Sequence, residues 1–148
     1  NMLMLTCFDI ARYFLAHVNE DYGDNISNLK LQKLVYYAQG FYLALYDKPL
    51  FSESIEAWTH GPVVPALYRE YKDFGAGAIP IPQDMNFSIY DEQTKELLDD
   101  IFNVFGQFSA WKLRNMTHTE PPWKDASNCS DNLISHESMK EYFKTRLN

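Results

Sequence analysis

The residues in this 148-residue chain best suited to metal or nucleophile chemistry are four histidines and two cysteines. His17, His60, His118 and His136 stand far apart. None belongs to a His-x-x-x-His pair, and there is no H-E-x-x-H or C-x-x-C motif, so the spacings that put two ligands on one helix face or one turn are missing. Cys7 and Cys129 are equally isolated. No G-x-S-x-G elbow offers a serine nucleophile, and Phe74-Gly75-Ala76-Gly77 lacks the Lys-Ser/Thr that completes a phosphate-cradling loop. The expectation is therefore no catalytic residue, no metal and no cofactor. Groups from distant segments can still converge in space, and a small hydrolase or metal enzyme here would have to draw on His60 and His118.

Two stretches stand out for recognition. Trp58-Thr59-His60-Gly61-Pro62 reads as a structural corner, with Gly and Pro turning the chain over a packed Trp58. The sharper reading is a recognition loop, because aromatic rings, imidazole and rigid turns suit protein contacts. Gly-Pro so often simply marks a turn, however, that the structural corner is preferred. Met116-Thr117-His118-Thr119-Glu120-Pro121-Pro122-Trp123-Lys124 repeats the ambiguity. His118 can bond a backbone carbonyl while Trp123 fills a gap, or the two His/Trp corners can lie side by side and form one rim. The tyrosines divide in the same way, between hydroxyls at the edge of a core and an exposed interface cluster. The candidate partner-binding residues are Trp58, His60, Gly61, Pro62, Tyr68, His118 and Trp123. Lys30 and Lys33 read as solvated first-turn residues of the helix that follows Ser27.

That helix is the element the others must be arranged around. Leu31, Leu34, Val35, Ala38, Phe41, Tyr42 and Leu45 keep to one helical face, and Tyr36, Tyr37, Gly40, Leu43 and Ala44 cover much of the other. The pattern predicts a buried central helix over about 28–46, capped by Ser27 and stopped before Pro49. Upstream, Thr6 and Asp9 form a capping box for a helix to about Val18, and 19–25 is a polar loop. Residues 50–58 read as extended, one arm of a short β-pair, with Ile79/Ile81 or Phe87/Ile89 as the second arm. Pro65 opens a helix to Asp73, and Gly75 stops it. Asp91 caps an amphipathic helix to about Phe108, with Leu97, Leu98, Ile101, Phe102, Val104, Phe105 and Phe108 inward. Ser109 caps a helix through Met116, and Pro121-Pro122-Trp123 breaks the pattern. Ser135 caps a last helix to Leu147, with Ile134 and Met139 as its hydrophobic staple.

Composition narrows the partners. Apolar residues make up 46% and aromatics 16% of the chain, enough for one ordinary core in a single domain over 1–148. Twenty acidic against 13 basic residues leave a net charge of −7. The only tight basic groupings, Lys30/Lys33 and Lys112/Arg114, do not make the stripe that nucleic acid or an anionic membrane needs. No run is apolar enough for a membrane span. Two thiols without a framework indicate a reducing compartment. Asn1 ahead of Met2 reads as a leftover from an expression tag, with no leader after it, and the four Asn-X-Ser/Thr sequons read as chance. A cytoplasmic protein with a peptide-like, small or basic protein partner is expected.

The ordered series Leu29-Lys30-Leu31-Gln32-Lys33-Leu34-Val35-Tyr36-Tyr37-Ala38-Gln39-Gly40, Pro49-Leu50-Phe51, Ile55-Glu56-Ala57-Trp58 and Gly61-Pro62-Val63-Val64-Pro65-Ala66-Leu67-Tyr68 resembles the Panacea domain family. Thr117-His118, Pro122-Trp123 and Glu141-Tyr142-Phe143 extend the resemblance over nearly the whole chain. That family comprises SocA-like antitoxins and phage-associated proteins. The resemblance implies a mainly α, cytoplasmic, non-enzymatic module. Such a module neutralises a cognate toxin from a neighbouring gene, by direct binding or by presenting it to a Clp-type protease. It transfers no catalytic residues and leaves no room for the DNA-binding segment that some members add. The alternative reading is a phage-encoded regulator that binds a host protein.

Overall fold

The structure is a computed structural model that describes residues 4–18 and 25–147. Along them run α1 (Cys7–Ala16), α2 (Asn28–Tyr46), β1 (Ile55–Trp58), β2 (Gly61–Val63), α3 (Pro65–Tyr71), α4 (Glu92–Phe105), α5 (Ala110–Thr117), α6 (Pro121–Ser127), β3 (Leu133–Ile134) and α7 (His136–Lys144). The fold is mainly helical, as expected, with a three-stranded antiparallel sheet in the order β2-β1-β3. Most of the loop predicted over 19–25 lies outside the described residues.

The hub is where periodicity placed it. Every residue of α2 from Leu31 to Ala44 is buried except Phe41, which is half-buried. The Ser27 hydroxyl accepts from the Lys30 amide at 3.3 Å. At the other end Asp47 takes a left-handed conformation, φ 57°, and donates its N–H to Leu43, so the stop comes two residues before Pro49. The main partner of α2 is α7, and Gly40 makes that contact possible: a Cβ there would run into the ring of Phe143. Helices α1, α4 and α5 pack on the remaining flanks, so one helix supplies the middle of the core. Leu45 departs from the pattern, being 45% exposed in the last turn, where α2 runs out beyond its neighbours.

The caps predicted from sequence are formed. Thr6 and Asp9 close a reciprocal capping box on α1 at 3.2 and 2.9 Å. Asp91, Ser109 and Ser135 each accept from the third helical amide of α4, α5 and α7. Ile134 and Met139 are both buried at the staple positions of α7. Several ends fall earlier than periodicity indicated, however. α1 closes at Ala16, α3 gives way to a 3-10 turn at Lys72–Phe74, α4 stops at Phe105 and α7 at Lys144. Val104, expected inward on α4, is 50% exposed.

Two predictions are corrected. The second arm of the β-pair is neither Ile79/Ile81 nor Phe87/Ile89: Ile79 only donates its N–H to Ile26, and Phe87–Ile89 is a 3-10 turn. β1 instead pairs with β2, Trp58 opposite Gly61 and Ala57 opposite Pro62, and on its other side with β3. A proline is tolerated in β2 because β2 is an edge strand, where one missing N–H leaves no ladder partner unsatisfied. Likewise Pro121-Pro122 does not merely break a pattern. It occupies the first turn of α6, where those amides have no intrahelical partner to lose.

Candidate functional site

The β1–β2 hairpin and the α5–α6 corner are held together from underneath by α2. Gln32, buried in the hub, receives the Val64 amide on Oε1 at 2.8 Å and donates to Asn28 at 2.9 Å. One residue on, Lys33 reaches the Pro62 carbonyl with its ammonium at 3.3 Å. These two bonds hold the middle of the short edge strand and the residue that follows it. Further along, Gln39 does the same for the chain entering the sheet, accepting from Leu50 at 2.7 Å and donating to Phe51 at 2.8 Å. Buried polar groups placed in this way fix one register, because each would be costly to leave unpaired.

Lys33 overturns the solvated reading. Its side chain is fully buried and lies over Gly61. Burial, and then the nearby Arg114 charge, pushes its pKa down from 10.5 to about 7. Gly61 is required twice. Its φ is 109°, a region that side chains avoid, and a Cβ there would sit 2.6 Å from Lys33 Cε and 2.9 Å from Thr117 Oγ1.

The two His/Trp corners meet. Trp123 donates its indole N–H to the Trp58 carbonyl at 2.9 Å, and His118 stacks on Trp123 with ring centroids 3.8 Å apart and planes 10° off parallel. Burial, then the charge of Arg114, lowers the pKa of His118, with Lys33 and His60 acting in the same direction against the opposing Thr59 backbone. Its Nε2 is shielded from solvent without a hydrogen-bond partner, as is Nε of Arg114. On the inner side of this corner Glu120 is buried and receives the hydroxyls of Tyr36 at 3.1 Å and Tyr37 at 2.7 Å. Arg146 stands 3.8 Å from the same carboxylate. Burial pushes Glu120 up from 4.5 to about 7 even so.

Outside, the surface is aromatic and basic. The Trp58 and Tyr68 rings meet edge to face at 5.1 Å along a cleft of about 330 Å³ lined by Leu29, Trp58, Thr59, His60, Val63 and Tyr68, among others. On its other side His60 faces Trp111 at 5.7 Å, and the Arg114 guanidinium lies 4.6 Å above the Trp111 ring.

Of the seven residues singled out from sequence, His60 and Tyr68 are exposed, Trp58, His118 and Trp123 are half-buried, and Gly61 and Pro62 are buried. Sequence reasoning misread Lys33 as solvated and gave no site role to Glu120, Trp111 or Arg114. Lys33 was findable, since it stands three and four residues before Tyr36 and Tyr37 on the same helical face. The tyrosines divide as well: Tyr36, Tyr37 and Tyr42 are core, whereas Tyr68 is at the surface. Burial and then Glu53 push the Cys7 thiol up to about 12, which keeps it protonated and inert. Among the described residues no three His, Cys, Asp or Glu groups are placed to hold a metal ion, and no helix is long and apolar enough to cross a membrane.

The family model described as "Antitoxin SocA-like, Panacea domain" matches residues 31–124, a span that runs from the hub through the hairpin to the α5–α6 corner. The chain is also 32% identical over 114 residues to the Antitoxin SocA of Caulobacter vibrioides (strain NA1000 / CB15N), an alignment covering 70% of this chain and 61% of that protein. The chain thus spans about three fifths of that relative's length. No solved structure matches.

Proposed function

The chain belongs to the Antitoxin SocA-like, Panacea domain family, and from that premise we propose that it is a protein-binding module that neutralises a cognate toxin encoded by a neighbouring gene. It does so in the cytoplasm by holding the toxin directly or by presenting it to a Clp-type protease, with no membrane, nucleic acid or cofactor involved and no bond made or broken. Residues 1–148 act as one unit. The observation that carries this reading is the family match over the hub and both His/Trp corners, joined by the similarity to Antitoxin SocA. The geometry supports it in a second way. Trp58 and His60 stand on a hairpin that buried Gln32 and Lys33 hold rigid, with Tyr68 of α3 beside them, and aromatic groups on a rigid support bind at low entropic cost. Gly61 and Pro62 contribute by shaping that hairpin, while His118 and Trp123 support it from behind.

Co-expression with the product of the adjacent gene tests the proposal. Restored growth and a complex that survives gel filtration are expected. Absence of both would overturn it. Following the toxin's abundance with and without the Clp-type protease then separates the two routes: direct holding leaves toxin levels unchanged, whereas presentation removes the toxin only when the protease is active.

A further inference from the structure

Whole-chain charge and local charge disagree at the α5–α6 corner. The chain carries −7 overall, yet Lys33, His60, Arg114 and His118 gather in one place, and the charges that act most strongly on His118 are all basic. The carboxylates of β1 and of the α5–α6 junction are engaged elsewhere. Glu56 accepts the Trp58 indole N–H at 2.9 Å, and Glu120 is turned inward to Tyr36, Tyr37 and Arg146. Among the described residues Arg114 pairs with no carboxylate. Its Nη1 donates to the neutral Asn115 at 3.0 Å, and its Nε and His118 Nε2 have no hydrogen-bond partner. A guanidinium left without a carboxylate forgoes the charge-assisted, bidentate bonds for which its shape is suited.

Beside these groups Trp111 is 53% exposed, held between His60 at 5.7 Å and Arg114 at 4.6 Å. A large ring left in water at a fixed position represents surface that a partner could still bury at about 25 cal/mol per Å². Trp and Arg together are the pair most enriched where interfaces concentrate their binding energy.

We propose that the face formed by His60, Trp111, Arg114 and His118 docks an acidic segment of the protein partner, one that sets an Asp or Glu carboxylate on Arg114 and an apolar side chain on Trp111. This deepens the antitoxin reading and rests on it. It also reverses what net charge alone suggests: the acidic surface as a whole would favour a basic partner, but the contact that specifies binding is a local cation awaiting an anion. His60 belongs to both this face and the Trp58–Tyr68 cleft, so the docked segment continues from one to the other.

The test uses the full chain and the product of the adjacent gene. Trp111→Ala and Arg114→Glu should each weaken the complex by roughly tenfold to a hundredfold. Lys48→Glu makes the same charge change at an exposed site away from this face and should leave affinity within about threefold. An Asp or Glu→Lys change in the toxin should recover binding to Arg114→Glu. Circular dichroism confirms that the variants are folded, and Arg114→Gln provides a milder version should the reversal disturb α5. If the wild type binds and rescues growth while Trp111→Ala and Arg114→Gln bind as tightly, the docking face is wrong and the antitoxin reading stands. If the wild type neither binds nor rescues, both fall. Two further results overturn the docking face: competition by a random-sequence RNA oligonucleotide that Arg114→Glu abolishes, or a homodimer that Trp111→Ala dissociates without change in toxin affinity.

Discussion

Glu120 and Lys33 are both buried charges on the same side of α2, and the protein treats them in opposite ways. Glu120 receives two tyrosine hydroxyls and faces Arg146. Its surroundings are donors, all aimed inward. Lys33 has a single carbonyl at 3.3 Å and basic neighbours. One pocket is closed and satisfied, while the other is short of negative charge on its outer side. The difference separates two uses of a buried charge: Glu120 ties α6 and the C-terminal segment to the hub, whereas Lys33 positions a strand beside the exposed rings of His60 and Trp111. If the contrast is real, removing each charge has unequal consequences.

The largest effect is expected on the satisfied side. Glu120→Ala leaves the buried hydroxyls of Tyr36 and Tyr37 without an acceptor and opens a cavity under α6, for a loss of about 3 kcal/mol in urea unfolding. Glu120→Gln keeps one acceptor oxygen and should lose less than half as much. Equal losses would mean that volume, not the hydrogen bonds, matters at this position.

The two groups should also respond to pH in opposite directions, by amounts on the order of a few kcal/mol each and larger for Lys33. Folding raises Glu120 from 4.5 to about 7, so its contribution is fully present below pH 4.5 and is lost as pH rises toward 7. Folding lowers Lys33 from 10.5 to about 7, so its contribution is present above 10.5 and is lost as pH falls toward 7. Together they place a local minimum in stability near neutrality. Subtracting the stability–pH curve of Glu120→Gln from that of the wild type should isolate the acidic window, and Lys33→Met the alkaline one. A flat difference in either window would show that the group titrates normally in the fold.

The hairpin that joins the two corners is next. Gly61→Ala forces a side chain to φ 109° and against Lys33 and Thr117, at a cost of about 1–2 kcal/mol. The strain falls on β2, so toxin binding through His60 should weaken along with the melting temperature. A variant that melts normally would mean the turn can relax toward solvent.

What sequence alone made visible follows from the range of the interactions. α2 and the caps at Thr6, Ser27, Asp91, Ser109 and Ser135 are set by residues within a turn of each other, and all were legible. β3 is two residues long and exists because β1 already lies beside it. Nothing local in Leu133 and Ile134 announces a strand. α6 was hidden by a pair of prolines whose helix-opening role depends on how α5 ends. Lys33 was misread as a first-turn lysine that reaches water, although it is the sixth residue of α2 and shares a face with Tyr36 and Tyr37. The placement of Gly61 against its stem closes the route to solvent. At the candidate site the hairpin residues drew attention by their own rarity. Trp111 and Arg114 did not, since their meaning comes from His60, 51 and 54 residues earlier in the chain.

The smallest loss is expected at Lys33 itself, and it is the sharpest test of the contrast. Lys33→Met keeps the length of the side chain and removes an ammonium that burial and Arg114 already disfavour. The substitution forfeits one bond to Pro62 and relieves a desolvated charge, and at pH 7 the relief is the larger of the two terms. Stability at pH 7 should therefore stay level or rise. Relief of the same charge also leaves Arg114 as the main cation of the outer face, so toxin binding should persist through Arg114 and Trp111. A loss of stability comparable to that of Glu120→Ala would show that the Pro62 bond holds the hairpin more strongly than one carbonyl should, and that the two buried charges are alike after all.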